Sequence, residues 1–152
     1  MNNILCVIPA RSGSKEIKDK NIKKFVNKPL LAHTIKYAEK CNLIFKTIVS
    51  TDSVKYAEIA RNFGAEVPFI RPKKFSLDSS QDIDFIYHAL LNCEKLYKRK
   101  FEFTILLRPT SPVRPNGIIE KGLELMTNNP LASSLKAVTI STEHPYRQWV
   151  SD

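Results

Sequence analysis

Between residues 10 and 21 the chain reads Ala10-Arg11-Ser12-Gly13-Ser14-Lys15, then Lys20-Asn21. A phosphate chain needs backbone N–H groups, small side chains that allow close approach, and cations at its oxygens. Ser12, Gly13 and Ser14 are small, and Arg11, Lys15 and Lys20 carry the charge. The same composition suits a lysine-rich surface loop, so this segment alone leaves both readings open. Neither GxxxxGK[ST] nor GxGxxG is present, which argues against a Walker-type nucleotidase and a Rossmann dehydrogenase. A second segment, Arg108-Pro109-Thr110-Ser111-Pro112-Val113-Arg114-Pro115, places three prolines in seven positions and so fixes a stiff path with few backbone donors. The Thr110 and Ser111 hydroxyls could bond a substrate there, or the segment could simply lead into a helix with Pro115 near its first turn.

Other reactive side chains form no constellation. His33, His88 and His144 are far apart and lack HExxH spacing. His33 and His88 fall in expected helices, where a hydrogen-bonded structural role is the better reading, while His144 could border a ligand site. Cys6, Cys41 and Cys93 include no CxxC pair, so neither a disulfide framework nor a zinc site is indicated; Cys6 reads as a small buried hydrophobe, and Cys41 and Cys93 as the same or partly exposed. GxSxG is absent too, and Trp149 reads as a core or interface residue.

The chain has 152 residues, 43% hydrophobic and 26% charged, close to one ordinary domain. No run approaches a membrane span, and the N-terminus lacks the pattern of a signal peptide. The expectation is a single domain over residues 1–152, in a soluble, cytoplasmic, reduced protein. The net charge of +9 calls for an anionic partner. From Arg11 to Lys28, seven basic residues face two acidic ones, Glu16 and Asp19. The knot at 95–100 is read instead as a cationic helix end that suits the dipole.

The elements that must position these loops alternate. Ile4–Ile8 is an apolar run without alternation, which suggests a strand buried on both faces. A helix is expected over Leu30–Cys41, a strand over Thr47–Ser50, and a helix from Val54 capped by Asp52 or Ser53 and closed near Gly64. A third strand follows over Glu66–Ile70, then a turn-rich loop, a long amphipathic helix carrying Ile86 to Leu96, and a strand over Phe103–Leu107. A helix around Ile119–Met126 and a last strand over Ser134–Ile140 complete the reading. Such alternation means a parallel α/β sheet, whose ligands bind outside the carboxyl ends of the strands. Both loops described above fall at that edge, as do Thr51-Asp52 and residues 71–82, which favours a phosphorylated small molecule over a nucleic-acid backbone.

Together, IPARSGSKEIKDKNI, STDS, RPKKFSLDSSQ and LLRPTSPVR resemble, in order and position, the motifs of the acylneuraminate (nonulosonic acid) cytidylyltransferases. The resemblance covers nearly the whole chain. It implies a three-layer, Rossmann-like parallel-sheet nucleotidyltransferase fold of the nucleotide-diphospho-sugar transferase type. It implies attack of a sugar anomeric hydroxyl on the α-phosphate of CTP, with release of pyrophosphate. By position, Arg11, Lys15 and Lys20 would be catalytic. Ala10, Arg11, Ser12, Gly13, Ser14, Lys15, Asn21, Arg71, Ser80 and Asp82 would bind the nucleotide, and Arg108, Thr110 and Ser111 the sugar. The resemblance also implies CTP and an acidic sugar as partners, Mg2+ as cofactor, and a homodimer.

Several positions depart from the family pattern. Glu16 stands where Gly is usual, and would repel phosphate unless it points away or pairs with Lys18 or Lys20. Arg108 stands where Gln is usual, and Arg forks a carboxylate better. Asp82 is an acid where a small hydroxyl residue can occur. The family's Mg2+-binding aspartate pair and dimerisation segment lie in a later part, so the chain reads as truncated at its C-terminus, with protein metal ligands absent from it. Asp82 and Asp84 share a DxD spacing but read as a helix start, where acids are favoured. A non-catalytic CTP-binding remnant is the alternative, and a nucleic-acid-binding protein a further one. Against the latter, the basic cluster contains only Phe25 among aromatics and no nucleic-acid motif.

Overall fold

The computed structural model describes residues 3–138. It contains two compact units, Met1–Ile118 and Ile119–Asp152. The first begins with β1 (Ile4–Pro9), in which Leu5, Cys6, Val7 and Ile8 are completely buried, as the unalternating run requires. After the loop and a 3-10 turn at Lys20–Ile22 comes a small hairpin, β2 (Lys24–Phe25) with β3 (Lys28–Pro29). Its turn residues, Val26 and Asn27, have φ of 44° and 64°. Two successive left-handed residues are the geometry that matches strand twist in a two-residue hairpin. No glycine signals this turn, which is why the sequence reading has only a polar loop there.

Pro29 leads into α1 (Leu30–Ala38), then come β4 (Lys46–Ser50) and α2 (Val54–Asn62). Helix α1 stops three residues before the expected Cys41, because Lys40 and Cys41 donate to Tyr37 and Ala38 in tighter turns. Ser53 caps α2, its Oγ accepting from Tyr56 N at 3.4 Å. Gly64, with φ of 101°, follows the helix end in the left-handed conformation that favours glycine.

The expected strand at Glu66–Ile70 shrinks to one parallel bridge, Ile48 to Glu66. Glu66 N donates to Thr47 O and its carbonyl accepts from Val49, but Pro68 has no N–H to continue the ladder. Helix α3 (Asp82–Tyr97) opens on a capping box between Gln81 and Asp84, so the two aspartates do begin a helix. β5 (Phe103–Leu106) is half-buried rather than buried, and ends one residue before the expected Leu107. α4 (Ile118–Thr127) starts three residues after Pro115, which therefore precedes the helix rather than entering its first turn. Residues 134–138 form no strand. The rest of that expected strand, and His144 and Trp149, lie outside the described residues.

The sheet is parallel with order β4-β1-β5. Leu5, Val7 and Ile48 pack against Phe85, Ala89 and Cys93 of α3. Strand period two sends Cys6 and Ile8 to the other face, where α1 lies against β1 and α2. The first unit is thus a three-layer α/β fold. Burial pushes the Cys6 and Cys93 thiols up to about 12, which removes them as nucleophiles at neutral pH. No described helix is long and apolar enough to cross a membrane.

The two described histidines differ. His33 Nε2 lies 2.6 Å from Phe25 O, as a hydrogen-bonded role requires. His88 instead packs edge-on to Phe69 at 4.8 Å, and its buried Nδ1 has no hydrogen-bond partner among the described residues. Burial, with repulsion from Arg71 and Lys74, lowers its pKa from the ordinary 6.5. An unfolded chain then takes up this proton first as pH falls, so the neutral ring stabilises the fold fully above 6.5 and progressively less below it. The urea midpoint is expected to drop between about pH 7.5 and about pH 5.5, and to drop less in His88→Leu. An equal drop in the variant would exclude His88 as a source.

Candidate functional site

Because β1, β4 and β5 are parallel, their carboxyl ends deliver three loops to one edge, residues 10–23, 51–53 and 107–117, and residues 71–81 join them there, Arg71 N donating to Thr51 O at 2.7 Å. A cleft of about 440 Å3 lies among them. The structure brings Arg11, Ser14, Lys15, Lys20, Asn21, Arg71, Ser80, Asp82, Arg108 and Thr110 to its walls. Ala10, Ser12, Gly13 and Ser111 are not on its walls. Ala10 is fully buried and extends the β1 ladder, its N–H donating to Ser50 O at 2.9 Å. Ser111 N donates to Arg108 O and closes a turn. Around Gly13 an added Cβ would meet no protein atom within 4 Å, so the space beside it is open.

The first loop keeps its shape through three anchors. Asp52 accepts from Ser12 N at 2.8 Å through one oxygen and from Ser12 Oγ at 3.0 Å through the other. Asn21 is buried and donates from Nδ2 to Arg11 O at 3.1 Å. Tyr56 OH donates to Asp19 Oδ1 at 2.9 Å, holding a residue with φ of 56°. Between these anchors Arg11 and Lys15 face the cleft. Arg11 Nη2 pairs with Asp78 Oδ1 at 2.6 Å and Lys15 Nζ with Asp78 Oδ2 at 2.5 Å. These bonds, Lys15 first, hold the Asp78 carboxyl below the usual carboxylate range.

The remaining wall is built from residues 71–82 and 107–114. Arg71 is buried; its Nε donates to Ser50 Oγ at 3.0 Å, its Nη2 to Ser50 O, and its guanidinium lies 4.5 Å from the Phe85 ring centroid. Desolvation lowers its pKa to about 10, so it stays charged at neutral pH. Ser80 Oγ donates to Lys74 O and accepts from Leu77 N, which folds the loop on itself. Asp82 accepts from Arg108, joining the nucleotide-assigned and sugar-assigned residues in one ion pair. Arg108 O in turn accepts from Arg114 Nη2 at 2.5 Å, and Arg114 Nη1 reaches Thr34 Oγ1 at 3.2 Å.

Five cations (Arg11, Lys15, Lys20, Arg71, Arg108) and three carboxylates (Glu16, Asp78, Asp82) line the cleft, which leaves it cationic. Glu16 is an exposed residue of the cleft rim, and no ion pair joins it to Lys18 or Lys20. Sequence reasoning missed Asp52 as a loop anchor and Asp78 altogether. Asp52 was visible as one of two possible caps and as part of the Thr51-Asp52 turn at the ligand edge, but not as a partner of Ser12, and Asp78 is one polar residue in a turn-rich segment. Among the described residues no group of three His, Cys, Asp or Glu side chains could hold a metal ion. Asp78 and Asp82 are already bonded to cations. The described residues therefore do not make a metal site by themselves.

A three-layer parallel sheet with a cationic cleft at its carboxyl edge has the form of an α/β nucleotidyltransferase. The solved CMP:2-keto-3-deoxy-manno-octonic acid synthetase, complexed with CTP, has this fold. It superposes with TM-score 0.66 at 24% identity, over 84% of this chain and 48% of that one. The chain belongs to the cytidylyltransferase family, whose model matches residues 5–101. It is 40% identical over 122 residues to an N-acylneuraminate cytidylyltransferase of Escherichia coli, covering 80% of this chain and 28% of that protein. It is 38% identical over 122 residues to a CMP-N,N'-diacetyllegionaminic acid synthase of Legionella pneumophila, covering 80% of this chain and 52% of that protein. It thus spans about half or less of the length of these relatives.

Asp52→Ala removes the acceptor of two Ser12 donors. It should lower unfolding free energy by about 1–3 kcal/mol, read from urea denaturation. A stability unchanged within about 0.3 kcal/mol would show that the loop does not need this anchor.

Proposed function

We propose that this chain is the CTP-binding part of an enzyme that transfers CMP from CTP to the anomeric hydroxyl of an acidic nine-carbon sugar. The sugar would be of the sialic, legionaminic or pseudaminic acid type, and pyrophosphate would leave. The carrying observation is the cationic cleft at the strand ends, in a chain of the cytidylyltransferase family. In this reading Arg11, Lys15 and Lys20 balance the charge that shifts onto the departing phosphates, so catalysis is by position and electrostatics. Ser12, Gly13 and Ser14 shape the path of the phosphates, with Ala10 fixing where the loop leaves the sheet.

The buried Asn21 amide and the wall of Arg71, Ser80 and Asp82 enclose the nucleoside. Arg71 acts there through the backbone it holds, the carbonyls of Ser50 and Phe75. Arg108, Thr110 and Ser111 stand toward the acceptor, where a guanidinium matches a sugar carboxylate. The same proposal extends to Mg2+ as counter-ion of the triphosphate, to a cytoplasmic location and to a homodimer, all of which rest on the family rather than on the geometry described.

The first test is thermal stability with CTP, UTP, ATP and GTP in turn, with and without Mg2+. A ligand at 100 times its Kd adds about 2.7 kcal/mol, so a CTP-selective shift is the expected outcome. Arg11→Ala should reduce CTP affinity by about 1.5–3 kcal/mol, the value of charge-assisted hydrogen bonds. A folded sample that shifts with no nucleotide would refute the reading. A CTP shift without sugar-dependent pyrophosphate release would leave CTP binding and remove the transfer.

Arg108→Gln should raise the KM for the sugar about tenfold while leaving CTP affinity within about twofold. A larger loss of CTP affinity would assign Arg108 to the nucleotide instead.

A further inference from the structure

Asp78 holds two cations of the cleft with one oxygen each: Arg11 at 2.6 Å and Lys15 at 2.5 Å. The Asp78 side chain is 45% exposed and that of Lys15 80%, so neither is wedged in place by the core. The segment that carries Asp78 closes on itself through Ser80, and touches Arg11 a second time only through Ser76 O at 3.4 Å. An oxygen pair spanning a guanidinium and an ammonium has the spacing and charge sign of two phosphate oxygens, though with one negative charge rather than two or more.

We propose that Asp78 is an internal substitute for phosphate, one that exchanges with the ligand's phosphates and sets which anions the cleft accepts. The proposal deepens the CTP reading and rests on it. In the free protein the carboxylate keeps Arg11 and Lys15 paired and correctly placed. An arriving anion must take both cations from it and tolerate a displaced carboxylate nearby. A triphosphate or pyrophosphate brings enough charge to win this exchange, while a monophosphate or chloride does not. Asp78 therefore penalises weakly charged anions. By returning to the cations it also favours departure of pyrophosphate after transfer. An exposed ion pair is weak enough to be broken by a ligand and strong enough to discriminate between ligands.

The test compares wild type with Asp78→Asn, which keeps the shape and removes the charge. Glu58→Gln serves as a charge-matched control on the exposed face of α2. Binding of inorganic pyrophosphate, CMP and CTP is measured by calorimetry at fixed ionic strength. Asp78→Asn should bind pyrophosphate about three- to tenfold more tightly, gain proportionally more for CMP than for CTP, and leave the control unchanged. Unchanged or weaker pyrophosphate binding in a folded Asp78→Asn protein overturns the proposal, because Asp78 would then only organise the cations. An equal gain in Glu58→Gln overturns it as well, since net charge alone would explain the effect. If Asp78→Asn does not fold, Asp78→Ser is used with the same criteria.

The two readings separate in these data. CTP selectivity without any gain in the variant refutes the role of Asp78 alone. A gain for pyrophosphate without preference for CTP over UTP refutes the nucleoside assignment alone. Absence of pyrophosphate binding in both proteins refutes both.

Discussion

The parallel pairing of β1 with β4 on one side and β5 on the other forces every loop of interest onto one edge of the sheet. A strand paired on both edges and covered on both faces has its backbone donors and acceptors consumed, so it must be apolar throughout. Ile4–Ile8 satisfies this, and Ala10 N still adds a bond to Ser50 O beyond the strand end. The chain can turn polar only once it leaves that ladder. The abrupt change from a buried Ile8 to the half-buried Ser12 and Ser14 and the exposed Lys15 and Lys18 is thus a geometric demand of the sheet.

Charge is then arranged across the cleft rather than along it. The loops after β1 and β5 carry cations, while Asp78 before α3 and Asp82 at its first residue meet Arg11, Lys15 and Arg108 from the opposite wall. Asp52 does different work. It turns away from α2, leaves the cap to Ser53, and spends both oxygens on Ser12. Acidic residues therefore hold the cation-bearing loop at its base and across its mouth, and ligand charge enters a site already balanced in part.

Much of this was legible in the residues. Alternating apolar runs and amphipathic segments gave the parallel α/β class and the helices to within a few positions, because core burial imposes strong periodicity. Position along the chain then placed Arg11, Lys15, Lys20 and Arg108 at the ligand edge, and these do line one cleft. Less was visible where local chemistry overrides pattern. Glu66–Ile70 looks like a strand until Pro68 removes its donor, and Val26-Asn27 forms a hairpin turn without the glycine that usually announces one. The ion pair between Asp82 and Arg108 joins residues far apart in sequence, and no spacing rule reaches that distance.

The buried guanidinium of Arg71 ties the end of β4 to the Phe75 carbonyl and stacks on Phe85 of α3. One side chain thus serves as wall of the cleft and as strut of the fold. Lysine has the charge but not the planar fork, so it would leave Ser50 and the aromatic face without their partner. Affinity and architecture share this position, and natural variation in ligand choice has to be written at its neighbours, on surfaces that can change without letting the sheet and α3 come apart.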